Sequence, residues 1–113
     1  VSYGEMLYRC LDAVDRLRAE GVKVGLINKP TLNVWDEETL KTLAEAPFVL
    51  VVESQSTKTG LGSRFGNWLL KSGLSPRFAN MGTSKIGHGG LKEQVTHQGL
   101  DPQDIKAKIL SLR

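Results

Sequence analysis

Between Glu5 and Glu20, apolar residues recur at three-to-four spacing, at Leu7, Cys10, Leu11, Val14 and Leu17, with Asp12, Arg16 and Arg18 between them. That period belongs to a helix with one buried stripe, and Gly21 supplies the left-handed residue that commonly ends one. The pattern then changes. Val22 to Asn28 reads VKVGLIN, apolar at Val22, Val24, Leu26 and Ile27, and Pro30 blocks its continuation. It predicts a strand partly buried on both faces.

Farther along, Asp36-Glu37-Glu38-Thr39 provides an N-cap and first-turn carboxylates for a second helix carrying Leu40, Leu43 and Ala44, closed by Pro47. Phe48 to Val52 is uninterrupted apolar sequence, the pattern of a central strand covered by helices on both sides. A third helix opens at Gly60-Leu61-Gly62-Ser63, gathers Phe65, Trp68 and Leu69 on one face and ends at Gly73. Pro76 to Met81 predicts a weaker strand, followed by a loop rich in Gly, Ser and Thr from Gly82 to Gly90. Asp101-Pro102-Gln103-Asp104 is a strong helix start, with Ile105, Ile109 and Leu110 as its apolar positions. Strands alternating with helices imply an α/β fold with a mostly parallel sheet between helical layers.

Length and composition narrow the picture. A chain of 113 residues fits one core, and 40% hydrophobic residues with both charge signs interspersed place it among folded globular chains. The longest apolar run, Pro47 to Val52, is far short of the roughly 20 residues a membrane-spanning helix needs, so no membrane role is expected. The opening Val1-Ser2-Tyr3-Gly4 has neither an initiator Met nor the basic and apolar regions of a signal peptide, which predicts a piece of a longer chain. Cys10 is the only cysteine, which suits a reducing compartment and makes the cytoplasm the default location. A net charge of +3 raises the question of nucleic acid, but the basic residues are scattered singly and form no stripe, so none is expected as a partner.

The strongest chemical candidate is ESQSTKTGLGSR, from Glu53 to Arg64, which leaves the most buried predicted strand and enters a helix. Ligands of open α/β sheets gather at such places. Gly60 and Gly62 allow close backbone approach, and the helix's first N–H groups, with Ser63 and Arg64 alongside, suit a small anion. The competing reading carries more weight: the glycines serve tight packing of helix on sheet, and Glu53 caps local backbone donors. Neither a full dinucleotide fingerprint nor a Walker loop is present.

Other candidates are weaker. In Gly82 to Gly90, Lys85 and His88 are candidates for phosphate contact or proton transfer, but no carboxylate stands near in sequence. His97, just ahead of Gly99, reads as a helix-end residue rather than a catalyst. No His-x-x-x-His or Cys-x-x-Cys pair suggests a metal. Cys10 falls on the first helix's apolar stripe and reads as core. Trp35, in a link, reads first as ordinary packing and second as an anchor for a neighbouring domain or subunit.

In order and spacing, four stretches resemble the C-terminal domain of transketolase and its relatives over essentially the whole chain. They are Val1-Ser2-Tyr3-Gly4 before a helix, Val24 to Leu40 (VGLINKPTLNVWDEETL), Phe48 to Gly62 with its Val-Val-Glu end and Gly-x-Gly helix approach, and His97 to Ile105 (HQGLDPQDI). The last resembles the terminal signature of transketolases and deoxyxylulose-phosphate synthases more than that of the 2-oxo acid dehydrogenase β subunits. Within Lys58 to Trp68, Arg64, Phe65 and Trp68 go beyond the family pattern.

The resemblance implies a three-layer α/β/α sandwich about a mostly parallel sheet of about five strands. It implies a parent enzyme that uses thiamine diphosphate and a divalent cation, Mg or Ca, to move a two-carbon ketol unit between sugar phosphates, as in the pentose phosphate pathway. The cofactor would lie between pyrophosphate- and pyrimidine-binding domains of a homodimer or split-subunit assembly, and not in this chain. This domain would then support assembly, with a regulatory ligand sought at Glu53, Gly60, Gly62 and Ser63. The alternatives are a small-anion or nucleotide-binding module at the same loop, the equivalent domain of a deoxyxylulose-phosphate synthase or 2-oxo acid dehydrogenase β subunit, and an independent enzyme using Lys85 or His88.

Overall fold

A computed structural model describes residues 1–30, 36–87 and 89–113. The first predicted helix forms as α1 (Met6–Ala19), and Gly21 after it is left-handed at φ +80. Its buried stripe is Met6, Cys10, Ala13, Val14 and Leu17. Leu11, expected inside, is exposed, because the stripe is centred one position round the helix and the small Ala13 takes the close contact. Asp36 caps α2 (Glu37–Ala44) as predicted, accepting from the N–H of Glu38 and Thr39 at 3.1 and 3.4 Å.

The central strand is β1 (Phe48–Ser56), running four residues past the apolar stretch that predicted it. It pairs in parallel with β2 (Arg77–Thr83), joined to it through α3 (Leu61–Lys71). The register matches Phe48 to Arg77 and Val52 to Met81, then shifts before Ser56 meets Thr83. Side chains alternate along β1. Leu50 and Val52 enter one apolar cluster with α1 and with α5 (Pro102–Leu112), whereas Val49 and Val51 enter a second with α2 and α3. This alternation, apolar on both sides, is why the strand reads as continuous hydrophobic sequence.

The expected sheet of about five strands is not what forms. Among the described residues there are two strands, with Ser2 making isolated parallel bridges to Asn28 on one side and Val52 on the other. The segment 22–28 therefore lies beside the sheet without being a strand of it. Ser2 N–H donates to Ile27 C=O at 3.0 Å and Lys29 N–H donates to Ser2 C=O at 2.9 Å. Ahead of Ile27, no strand among the described residues stands next to the segment to complete a ladder.

The chain also forms α4 (Leu91–His97), whose end at His97 was legible but whose start was not, since Val95 is its one buried residue. In α5 the Asp104 side chain accepts from the Asp101 N–H at 3.1 Å, as its sequence predicts, although Leu110 is exposed and Leu112 takes the core position. Trp35 lies outside the described residues.

Candidate functional site

Strand β1 delivers Glu53 beneath the first turn of α3, where its side chain has no exposed surface. A helix begins with N–H groups that have no partner inside it, and Gly60, at the N-cap, has no side chain to offer them. Glu53 supplies the acceptor instead. Its Oε1 receives the Leu61 N–H at 2.8 Å and its Oε2 the Gly62 N–H at 2.6 Å. Tyr3 OH, fifty residues earlier in the chain, donates to Oε1 at 3.1 Å. Negative charge is favoured at this end of a helix, so charge and hydrogen bonding agree on the position.

The glycines make this arrangement possible. A Cβ on Gly60 would lie 1.8 Å from Glu53 Oε1, and one on Gly62 would lie 2.5 Å from the Cβ of Asn80 on β2. One turn on, a Cβ at Gly66 would come within 3.2 Å of the Phe78 ring. Phe65 stacks on Trp68 at a centroid distance of 6.0 Å and meets Phe78 at 5.8 Å. The face of α3 that carries Gly62 and Gly66 thus sits close on β2, and Asn80 Nδ2 donates to Thr57 C=O at 3.1 Å to fasten the loop between β1 and α3.

Of the residues singled out by sequence, Glu53, Gly60 and Gly62 come together, while the side chains of Ser63 and Arg64 lie on the exposed side of the same turn. Tyr3 and Asn80 were not foreseen. Each comes from a separate part of the chain, and no local pattern announces such a partner. Burial, then the charge and hydrogen bond of Glu53, push the Tyr3 hydroxyl up to about 12, with Arg64 opposing in part.

The residues 84–86 are held from α4. Gln98, nearly buried, accepts from the N–H groups of Ser84 and Lys85 at 2.9 and 3.0 Å and donates to Lys85 C=O at 2.8 Å. Lys85 Nζ donates to His97 C=O at 3.1 Å, and His97 Nε2 lies 3.1 Å from Ile86 C=O. This neighbourhood ties a loop to a helix end. His88 lies outside the described residues.

The sequence profile described as the transketolase C-terminal domain matches residues 1–105. The chain belongs to that family. It is 29% identical to a probable 1-deoxy-D-xylulose-5-phosphate synthase 2, chloroplastic, of Oryza sativa subsp. japonica, over 99% of this chain and 16% of the relative. It is 27% identical to one subunit of an apulose-4-phosphate transketolase from Actinobacillus succinogenes, over 99% of this chain and 37% of that one. A putative transketolase C-terminal section from Methanocaldococcus jannaschii is 26% identical, over 97% and 35%. The fold matches a solved structure described as a split gene transketolase, inactive beta4 tetramer, with a TM-score of 0.89 at 24% identity, over 98% of this chain and 37% of the other. This transketolase C-terminal domain therefore spans between 16% and 37% of the length of these curated relatives.

Among the described residues, no three His, Cys, Asp or Glu side chains gather where they could hold a metal ion. Glu53, the one fully buried carboxyl group among the described residues, is committed to Leu61, Gly62 and Tyr3. No helix among the described residues is long and apolar enough to cross a membrane.

Proposed function

We propose that this chain is an accessory domain, supporting assembly, of a larger transketolase-like enzyme that transfers a two-carbon ketol unit between sugar phosphates. In this reading thiamine diphosphate and its divalent cation are held by the pyrophosphate- and pyrimidine-binding domains of a cytoplasmic homodimer or split-subunit assembly. The observation that carries it is the internal use of the fold's usual ligand position. At the C-terminal end of β1, where open α/β sheets take their ligands, two N–H groups of α3 are already bonded to Glu53. Relatives named as a separate subunit and as a C-terminal section favour a split parent. Calorimetry of the 113-residue chain with thiamine diphosphate and magnesium tests the proposal. It expects no saturable heat, and saturable binding would reject it.

A second reading places a small anion, as a regulatory ligand, on the first turn of α3, at Glu53, Gly60, Gly62, Ser63 and Arg64. The exposed Ser63 and Arg64 favour it. Such an anion must either displace Glu53 or bind outside it, and titration with phosphate followed at the amides of this turn separates the two readings.

A further inference from the structure

Strand β2 is paired on one side only. Among the described residues its single neighbour is β1, so its other side is an edge of the sheet. The ladder fixes which backbone groups face out. In a parallel pair one residue faces the partner strand and the other faces away. Val52, paired with Met81, donates its N–H to Val1 at 2.9 Å on the far side of β1, so it is Met81 that faces β1. Thr83 agrees, since its C=O accepts from Thr57 N–H at 3.1 Å. Backbone groups of alternate residues point to the same side of a strand, which leaves the N–H and C=O of Phe78, Asn80 and Gly82 turned outward. None of these groups has a partner across the edge among the described residues.

Proteins commonly blunt a free edge with charged side chains, proline or a bulge, because unpaired strands recruit others. From Phe78 to Gly82 the sequence FANMG has no charge and no proline, and the irregularity in register lies on the β1 side. The only charge in β2 is Arg77, at its start. The edge has defined ends. Pro76 has no N–H to give, and the Ser84 N–H is committed to Gln98 at 2.9 Å. Over β2, Gly62 and Gly66 of α3 lie against Asn80 and Phe78, and Leu70, next at the same spacing, is 79% exposed. An apolar side chain thus flanks the edge without a cover.

We propose that the β2 edge is a self-association surface, on which a second copy of this chain adds its own β2 in the antiparallel sense, about a two-fold axis at Asn80. The edge is complementary to itself in this register. Asn80 meets its counterpart, Phe78 lies opposite Gly82, and every outward N–H finds an outward C=O in both directions. Pro76 then falls opposite Ser84, so the ladder stops at each end where neither residue has an N–H to offer. Charge selects the sense of pairing. In-register parallel strands would set Arg77 against its counterpart, whereas the antiparallel arrangement sets it opposite Thr83 and holds the two arginines about 20 Å apart along the strand. This contact gives the assembly role proposed above a specific partner and rests on that reading.

The test is sedimentation of the 113-residue chain from micromolar to millimolar concentration, with amide hydrogen exchange read at Phe78, Asn80 and Gly82. A dimer is expected, and its formation is expected to slow these amides by about tenfold or more. Thr83→Lys places a like charge opposite Arg77 twice in each dimer and is expected to weaken association about tenfold, while Thr83→Glu strengthens it to a similar extent. A monomer at every concentration would overturn the proposal. So would a dimer in which the three amides exchange unchanged, or a shift in the same direction for both Thr83 variants. The exchange arm uses the unaltered chain and does not depend on either variant folding. A monomer that binds no thiamine diphosphate overturns this contact and leaves the accessory-domain reading in place, whereas thiamine diphosphate binding rejects that reading whatever the oligomeric state.

Discussion

The carboxyl group of Glu53 occupies the space that a side chain on Gly60 would need, with 1.8 Å between Glu53 Oε1 and the position of a Cβ on Gly60. The backbone at Gly60 is extended, at φ −78, so glycine is required there by proximity and not by backbone conformation. Gly60→Ala must push Glu53 away from Leu61 and Gly62. The expected loss is about 2 to 3 kcal/mol in urea unfolding, since buried donors are left without acceptors. A variant as stable as the parent would show that the carboxyl group can move aside cheaply.

Removing the acceptor should cost more than weakening it. Glu53→Ala leaves the Leu61 and Gly62 N–H groups and Tyr3 OH unpaired, with an expected loss of about 3 kcal/mol or more. Glu53→Gln keeps one acceptor oxygen but turns an NH₂ toward an N–H donor, and is expected to fall between the alanine variant and the parent. Chemical denaturation of the pair checks the order. Equal stabilities for both variants would argue against hydrogen bonding as the cause.

Tyr3 gives the same contact a pH signature. Its hydroxyl is pushed up to about 12, so the folded chain holds this proton after the unfolded chain has released it. The sign follows: the stabilising contribution is complete below about pH 10 and is lost as pH rises through the folded value. Ultraviolet titration should show one phenol ionising late, and Tyr3→Phe should abolish that late step. Glu53→Gln should bring it to lower pH, because a neutral neighbour no longer opposes phenolate.

Much of the fold was legible because its signals are local. The Asp36 and Asp101 helix starts, the left-handed Gly21, and the apolar run from Phe48 to Val52 each depend on a few adjacent residues. The segment 22–28 misled for the opposite reason. Its apolar pattern describes a strand's environment, but a ladder also needs a neighbour, and among the described residues only Ser2 provides one. At the site, Glu53, Gly60 and Gly62 could be named from sequence because eight residues separate the carboxyl from its first N–H partner at Leu61. Tyr3 lies fifty residues from Glu53, and nothing in VSYG points across that distance.

Cys10 is buried between α1 and the sheet, and burial raises its thiol above the ordinary range. Its reaction with a thiol reagent at neutral pH should therefore be slower than that of the urea-unfolded chain by about a hundredfold or more, following the rate of opening. Similar rates in both states would place Cys10 at the surface.

Whether the first turn of α3 is closed by its own chain decides between an assembly domain and a ligand-binding one. Backbone amide shifts of the 113-residue protein, followed while inorganic phosphate and then thiamine diphosphate with magnesium are added, test this most directly. Leu61 and Gly62 are predicted to hold their shifts throughout, since Glu53 already accepts from both. Saturable movement of Gly60, Gly62 and Ser63 would contradict it and make this turn a ligand site.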